Sequence, residues 1–536
     1  MDRYAVVRDR TLAGPIQARE PVFVRAPSAT QTMVRGDLLA IATVSLASVA
    51  LLAIFALRYP LPLDFAGLYA LMAEGIATNG YHLPRTVPYY GPGGLPFAYP
   101  PLGFYLMALC THALGLPVFT YVRVAPVVFS GLALIPLSYL ARRLAASRAA
   151  TVLAVVYVAM ATGLFRLQVE AGGVVRGLGF VLALSGVACA YTALARPRWR
   201  TTVLAAIFCA LALLTHPAYA VFTGASVIAF TLAGRDWRLR LRTAALIGIM
   251  ALIGAAPWWA TILGRGDLSG FGAVLHSQTS LTVALGLQVS SWASALRHPV
   301  GVVTLLHLLQ LPALGYCLLR KRWTLPIWYL VATLLSHDER FVQDTIGAIL
   351  LGLFFWEASG WISARARPAD RLLLRRAMLA LVALYPVAIF LHWAPRQRPG
   401  LTAADLAVGA WMRAHTPADA RYLLAGPDAE SETGTEWWPY LSHRTLAIAP
   451  WGAEWTGAFA VEAHLLAVQQ RCVHEQSIHC LAALFAQAGG RGQAYLIVRH
   501  DTAFRTLTYR LQASRTWRQV YRMHDDTVWE HEGAPA

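Results

Sequence analysis

Long apolar runs, separated by short stretches of arginine and turn residues, fill most of the first 395 positions. A run of roughly 20 apolar residues crosses the hydrocarbon core as a helix. Such runs predict spans over approximately 37–57, 118–140, 149–165, 173–195, 201–215, 217–234, 243–263, 300–319, 324–336, 341–360 and 374–394. The expected architecture is therefore a mainly α, polytopic membrane helix bundle of about 11 spans. From about residue 400 the pattern changes to turn residues, alternating charge and short apolar runs. Helical spacing over Leu401–His415, Phe459–Gln470 and Ile478–Ala488, with strand patterns at Arg421–Ala425, Tyr495–Val498 and Trp517–Tyr521, predicts a small soluble α/β domain.

The segment 97–116 is also long and apolar enough to span, but counting it would place Arg142, Arg143 and Arg148 on the outer face. With it left outside as an interfacial helix, the clusters Arg142/Arg143/Arg148, Arg196/Arg198/Arg200, Arg235/Arg238/Arg240/Arg242, Arg320/Lys321/Arg322 and Arg365/Arg367/Arg371/Arg375/Arg376 all share the side of the N-terminus. Basic residues stay cytoplasmic, so three units are expected: a cytoplasmic tail over 1–36, a membrane domain over 37–395 with a large external loop at 58–117, and an extracytoplasmic domain over 396–536. Pro100 and Pro101 suit the first turn of the interfacial helix. Tyr99, Phe104 and Tyr105 suit the headgroup level.

Of the 536 residues, 57% are hydrophobic and 14% charged, more apolar surface than a soluble domain needs. The net charge of +17 lies in clusters between spans rather than on a nucleic-acid-binding module, so it reads as topogenic and no nucleic-acid partner is expected. The first 36 residues contain six arginines but neither a long apolar core nor a small-residue cleavage site, so the first span is expected to act as an uncleaved anchor.

A charged group at the bilayer centre costs about 2.5 to 3.5 kcal/mol on insertion scales. The polar groups nearest the spans therefore stand out. Asp64 opens the first external loop, Arg123 lies near the outer end of the second span, and Glu170 and Arg176 flank the outer start of the fourth. His216 follows the fifth span, and His337-Asp338-Glu339-Arg340 joins the ninth and tenth. Singly, each is ordinary for a helix end that reaches headgroups and water. Together they place acids (Asp64, Glu170) and arginines (Arg176, Arg340) on one face, where a phosphate group can sit beside a general base. A phosphate leaving group needs no acid, unlike the alcohol leaving group that makes glycosidases use two carboxylates. The combination suits glycosyl transfer from a lipid phosphate sugar: one aspartate takes the acceptor hydroxyl proton while guanidinium groups stabilise the departing phosphate.

These residues resemble the GT-C superfamily of integral membrane glycosyltransferases, in particular its aminoarabinose transferase and protein O-mannosyltransferase branch. The likeness rests on the acid after the first span followed by Tyr69, Gly80 and Pro84; on Tyr99-Pro100-Pro101-Leu102 leading to Arg123 and Arg142-Arg143; and on Asp338-Glu339-Arg340-Phe341 before a late span. It covers about residues 37–360. The resemblance implies an inverting transfer from a polyprenyl-phosphate sugar to a glycan, lipid or protein acceptor on the outer face of the plasma membrane. By the same analogy Asp64 is the catalytic aspartate, Glu170 the second external-loop acid and Arg340 a contact for the lipid phosphate; Arg176 and Arg123 are further candidates for the donor phosphate site. Phe65 stands where relatives commonly carry a second acid, and Tyr69 comes five residues after Asp64 rather than four, so Glu74 is held in reserve. Tyr69, Tyr99 and His216 are further acceptor or loop candidates. Related enzymes differ in metal dependence; no ligand set is evident, no cofactor is assigned, and a divalent metal stays open.

In the tail, Thr435–Leu441, with Glu436 and Trp437, and Trp451–Trp455 concentrate rings and carboxylates in expected loops. They suit either sugar stacking or packing of the tail against the membrane or its own core. Cys472 and Cys480 fit a local disulfide better than the pair spacing of a zinc site. Two other classes stay open: a transporter or lipid flippase, which usually places polar groups and broken helices near the midplane, and a non-catalytic glycan-binding scaffold.

Overall fold

The computed structural model describes residues 35–170, 173–234, 236–266, 305–335, 339–426, 432–489, 492–500 and 502–532, with a few helical positions between 286 and 297. Helix α1 (Arg35–Ala56) occupies the first expected span. The loop after it folds into α2 (Gly67–Thr78), a short antiparallel ladder of β1 (Thr86–Val87) and β2 (Leu95–Pro96), and α3 (Leu102–Ala108). The bundle continues with α4 (Val118–Ala145), α5 (Arg148–Met160), α6 (Thr162–Phe165), α7 (Gly173–Ala195), α8 (Trp199–Leu213), α9 (Pro217–Leu232), α10 (Trp237–Gly254) and α11 (Ala256–Gly264). It resumes with α12 (Leu305–Leu319), α13 (Thr324–Leu335), α14 (Glu339–Ser363) and α15 (Arg371–Trp393).

Among the described residues five helices, α1, α4, α7, α14 and α15, are long and apolar enough to cross a membrane, or up to seven segments if each of two bent pairs is one span. One pair is α5 with the stretch Thr162–Glu170, bent by 47°, where Ala161 leaves the helical region at ψ 113. The other is α10 with α11, bent by 58° at Ala256-Pro257, where proline cannot donate to the preceding turn. The shorter apolar helices α8, α9, α12 and α13 lie at the remaining expected positions. Aliphatic side chains such as Leu39, Ile135, Ile253 and Leu381 point out of the bundle, each about two-thirds exposed or more, as a lipid-facing surface requires. Inside, small residues bring backbones together: a Cβ on Gly352 of α14 would lie 2.4 Å from the Ala150 carbonyl oxygen of α5. The chain is an integral membrane protein of polytopic type.

The tail forms α16 (Ala403–His415), β3 (Arg421–Ala425), α17 (Glu432–Ser442), β4 (Thr445–Leu446), α18 (Phe459–His474), α19 (Ile478–Gln487), β5 (Ala494–Val498), α20 (Arg505–Ala513), β6 (Trp517–Met523) and β7 (Asp526–His531). The sheet order is β4-β3-β5-β7-β6, with β3 parallel to β4 and β5, and β7 antiparallel to β5 and β6. The parallel strands β3 and β5 are buried at every position, which explains why, Arg421 apart, their sequences are apolar. Arg499 closes the core with a two-point hydrogen bond to Asp405 (2.7 and 2.9 Å), and Asp405 also completes the capping box of α16 with Thr402. Cys472 and Cys480 are joined by a disulfide.

One expectation about the tail is corrected. The stretch 435–441 is not a loop but the body of α17, and Trp437 and Trp438 are fully buried. Their rings face α2, α4 and β3 rather than open solvent, which matches the packing alternative and leaves no face for sugar stacking. Helix α20 and strand β7 were not anticipated. Polar ends (Asp526, Glu530, His531) obscure the buried centre of β7, Thr527–Trp529.

The tail docks directly on the first loop. Gly67, the first residue of α2, crosses α17 so closely that a Cβ there would lie 1.8 Å from the Glu436 carbonyl oxygen and 2.4 Å from Trp437 Cα. The loop also extends the sheet edge at β4. The Gly91 N–H donates to the Leu446 carbonyl (3.0 Å), and the Leu446 N–H donates to the Tyr89 carbonyl (3.0 Å).

Candidate functional site

Asp64 sits between the end of α1 and the start of α2. One carboxylate oxygen, Oδ1, accepts the Phe65 N–H at 2.9 Å, while its backbone carbonyl accepts the Trp437 indole N–H at 2.9 Å. The loop aspartate is thus fastened by a buried tryptophan of the tail. Helix α2 itself is buried almost all round, with Leu68 to Ala73 and Ile76 covered. A helix without a wet face is held by packing rather than by water, and it gives Asp64 a rigid base.

Glu170 arrives from the other side. Past the bend at Ala161 the chain widens into a π-helical turn, Arg166–Glu170, a geometry that often marks functional sites. Glu170 is 6% exposed and lies within electrostatic reach of Asp64 and Arg166. Its Oε1 has no hydrogen-bond partner among the described residues. Gly173, the first residue of α7, packs closely on that turn: a Cβ there would lie 1.6 Å from the Gln168 carbonyl oxygen.

Four segments of chain meet around Arg176 of α7. Its guanidinium is 5.4 Å from the Phe65 ring, and its charge reaches Tyr99, His216 and Glu454. The Tyr99 ring lies 5.8 Å from His216, 5.6 Å from Trp455 and 6.4 Å from Tyr69, with which it shares a side-chain hydrogen bond. Burial, reinforced by Tyr69, pushes the Tyr99 phenol well above its ordinary range, so it stays protonated.

His216 caps α9, its Nδ1 accepting the Ala218 N–H at 3.2 Å ahead of Pro217 in the first turn. Burial, helped by the Arg176 charge, holds its imidazole down to about 3. The neutral ring then carries its proton on Nε2, a fixed donor.

Glu454, in the short helical turn Ala453–Trp455 of the tail, was not among the sequence candidates. Burial raises its carboxyl pKa against the opposing pull of backbone hydrogen bonds and Arg176, and Oε2 is buried without a partner among the described residues. The aromatic segment around it was the only signal in the sequence. The Tyr99 segment is fixed from below, with the Trp258 indole donating to the Ala98 carbonyl (3.3 Å) and the Leu102 N–H to the Leu214 carbonyl (2.8 Å).

The other candidates fall elsewhere. Arg123 donates to the Leu57 carbonyl at the end of α1 (2.9 Å). Glu74, two turns along α2, faces His443 of the tail at 3.4 Å. Glu436 is buried in α17, its backbone carbonyl accepting the Tyr90 hydroxyl at 2.5 Å. Arg340 lies in the first turn of α14 with its side chain outside the described residues, as are His337 and Asp338. Among the described residues no three His, Cys, Asp or Glu side chains are grouped to hold a metal ion.

No protein-family model and no curated protein matches the sequence. The fold does match solved structures. ArnT from Cupriavidus metallidurans bound to undecaprenyl phosphate is similar with a TM-score of 0.54 at 16% identity, over 93% of this chain and 98% of that one. The oligosaccharyltransferase AglB from Archaeoglobus fulgidus, in complex with an inhibitory peptide and a dolichol-phosphate, gives 0.54 at 14% identity, over 91% of this chain and 74% of that one. The fold is that of the GT-C glycosyltransferases.

Proposed function

We propose that the protein is an inverting membrane glycosyltransferase that moves a sugar from a polyprenyl-phosphate donor to an acceptor hydroxyl, with Asp64 as general base. The observation that carries this reading is the meeting of two carboxylates, Asp64 and Glu170, with the Arg176, Tyr99 and His216 group, inside a fold shared with an enzyme solved with undecaprenyl phosphate.

Asp64 takes the proton of the acceptor hydroxyl as its oxygen attacks the anomeric carbon. The bond from that carbon to the phosphate oxygen breaks, and the polyprenyl phosphate leaves with the bonding electrons. Arg176, joined by Arg340, holds the growing phosphate charge, and in this role it gains most in the transition state. Arg123 of α4, whose guanidinium donates to the Leu57 carbonyl at the end of α1, acts at the edge of that phosphate site. The fixed Nε2–H of His216 and the protonated Tyr99 phenol donate to sugar or phosphate oxygens, while Glu170 and Tyr69 orient the acceptor.

The same reading has eleven spans, a cytoplasmic N-terminus over 1–36, a membrane domain over 37–395 and an extracytoplasmic tail over 396–536 in the plasma membrane. The Cys472–Cys480 disulfide supports that sidedness, because such bonds persist in oxidising compartments.

A transporter or flippase is the second reading. It draws on the buried His307–Asp344 pair, 3.0 Å apart among the apolar helices. Asp64→Asn separates the two. In proteoliposomes supplied with a panel of polyprenyl-phosphate sugars, release of polyprenyl phosphate is expected to fall by on the order of 100-fold or more, the range of general-base contributions. Undiminished release from a folded variant would sink the base assignment, and substrate flux in place of release would favour transport.

A further inference from the structure

Helices α1 and α15 end side by side, with the Phe55 ring 5.7 Å from that of Phe390. Just beyond these ends three arginines come together: Arg58 after α1, and Arg396 and Arg398 after α15. Arg58 Nη2 donates to the Pro395 and Gln397 carbonyls, at 3.0 Å each, and Arg398 Nη1 donates to the same Pro395 carbonyl at 3.0 Å. Two guanidiniums that share one oxygen lie within twice that distance of each other. Both also rest against Tyr59, 4.5 and 5.6 Å from its ring centroid, and Arg398 donates to the Tyr59 hydroxyl. Arg396 lies between the two carbonyls that hold Arg58; its side chain is exposed and makes no hydrogen bond or ion pair among the described residues.

Like charges this close repel, and their fixed partners bring no negative charge to offset them. Carbonyls and a phenol hold the guanidiniums in place, but no carboxylate among the described residues pairs with any of the three. Asp37 and Asp370 stand at the opposite ends of α1 and α15. The next acids along the chain are Asp64, whose Oδ1 accepts the Phe65 N–H, and Asp405, which is paired with Arg499. Under the proposed topology the cluster also lies outside, against the bias that keeps basic residues cytoplasmic, so orienting the chain does not account for it.

Its level in the membrane suggests what does. Tyr59 and Trp393 are side chains typical of the headgroup region. In the last turns of the two helices, Ile54 and Leu391 are exposed, as lipid-facing residues are.

We propose that Arg58, Arg396 and Arg398 seat the phosphate of an anionic phospholipid whose acyl chains run down past Ile54 and Leu391. Guanidinium forks match phosphate oxygens, and a zwitterionic head would bring its ammonium group to three positive charges with no carboxylate to receive it. The seat needs only the ends of two spans, so it stands or falls apart from the glycosyltransferase reading.

The test is lipid titration read by native mass spectrometry of the full chain in detergent micelles. The probes are phosphatidylglycerol, phosphatidylcholine, undecaprenyl phosphate and inorganic phosphate. The unmodified chain is expected to bind phosphatidylglycerol more tightly than phosphatidylcholine. Arg396→Gln breaks no hydrogen bond described here and should raise the apparent Kd of the tightest phosphatidylglycerol about fivefold, from about 1 kcal/mol per basic residue near anionic lipid. Arg58→Gln, Arg396→Gln and Arg398→Gln combined should raise it by on the order of 100-fold on the same basis. Arg505→Gln, at the exposed start of α20 in the tail, should leave it unchanged.

The proposal is overturned by equal affinity for phosphatidylcholine, by no effect of Arg396→Gln, or by an equal loss in Arg505→Gln. Tighter binding of undecaprenyl phosphate through the same arginines would make the cluster part of the donor site, and displacement of phosphatidylglycerol by millimolar inorganic phosphate would make it a site for a free anion. Either result overturns the phospholipid assignment. Should the triple variant fail to fold, Arg396→Gln decides alone.

Discussion

Gly67 packs against the tail three residues after Asp64, and Gly67→Ala tests whether the tail holds the Asp64 loop in place. The new methyl would lie 1.8 Å from the Glu436 carbonyl oxygen and 2.4 Å from Trp437 Cα, both backbone atoms. Ordinary contact needs about 3.4 Å, so α2 and α17 must separate by roughly 1.5 Å. Overpacking of this kind costs about 1 to 3 kcal/mol. The larger effect is on position, because the Trp437 indole that must move is the one holding the Asp64 carbonyl. Misplacement of a reacting group by about 1 Å costs on the order of 100-fold in rate. Release of polyprenyl phosphate in proteoliposomes is therefore expected to fall by about that factor, while the thermal unfolding midpoint falls by only a few degrees. Gly75→Ala, on the same helix, is the control: its methyl would meet only the Pro84 Cγ at 3.4 Å, and full activity is expected. A Gly67→Ala protein as active as Gly75→Ala would refute the idea that tail docking positions Asp64.

Three further outcomes follow from the geometry. His216, held down to about 3, is neutral throughout the working range, so His216→Gln should keep more activity than His216→Ala and leave the pH profile between 5 and 8 unchanged; a lost ionisation in that window would contradict the assignment. The Glu454 carboxyl has a raised folded-state pKa, so its ionisation on unfolding destabilises the protein once pH exceeds the unfolded value, and the penalty is complete above the folded one. Glu454→Gln should accordingly raise the unfolding midpoint at pH 7 and leave it unchanged at pH 4, as read by differential scanning fluorimetry. Asp405→Ala leaves Arg499 buried without its carboxylate and should destabilise the tail by about 3 to 5 kcal/mol; unchanged hydrogen-exchange protection over residues 403–415 would contradict this.

The polar residues that the structure gathers around the site were visible in the sequence for a simple reason. Against apolar runs, Asp64, Glu170, Arg176 and His216 are costly unless they lie at a surface or a cavity, and that contrast marks them. Glu454 sits in a polar tail, where a carboxylate has no such contrast, and only its burial beside Arg176 and Tyr99 distinguishes it. Glu74 and Arg123 had the right chemistry, but the structure binds one to His443 and the other to the end of α1. Charge type is local in the chain, whereas the choice of partner depends on contacts between segments distant in sequence, 66 residues apart for Arg123 and Leu57.

By itself the sequence determined where the long apolar helices α1, α4, α7, α14 and α15 lie, because crossing a hydrocarbon core takes about 20 apolar residues in a row. Strands β3 and β5 were legible because a strand buried on both faces is apolar at nearly every position, Arg421 being the exception. Only the tertiary structure decided that α17 is a helix, that its tryptophans are buried rather than open to sugar, and that one of them fastens Asp64. That arrangement depends on two backbones meeting at Gly67, more than 360 residues from Trp437 in the chain. A pattern read along the chain contains no term for such an approach. Close packing between distant segments supplies it.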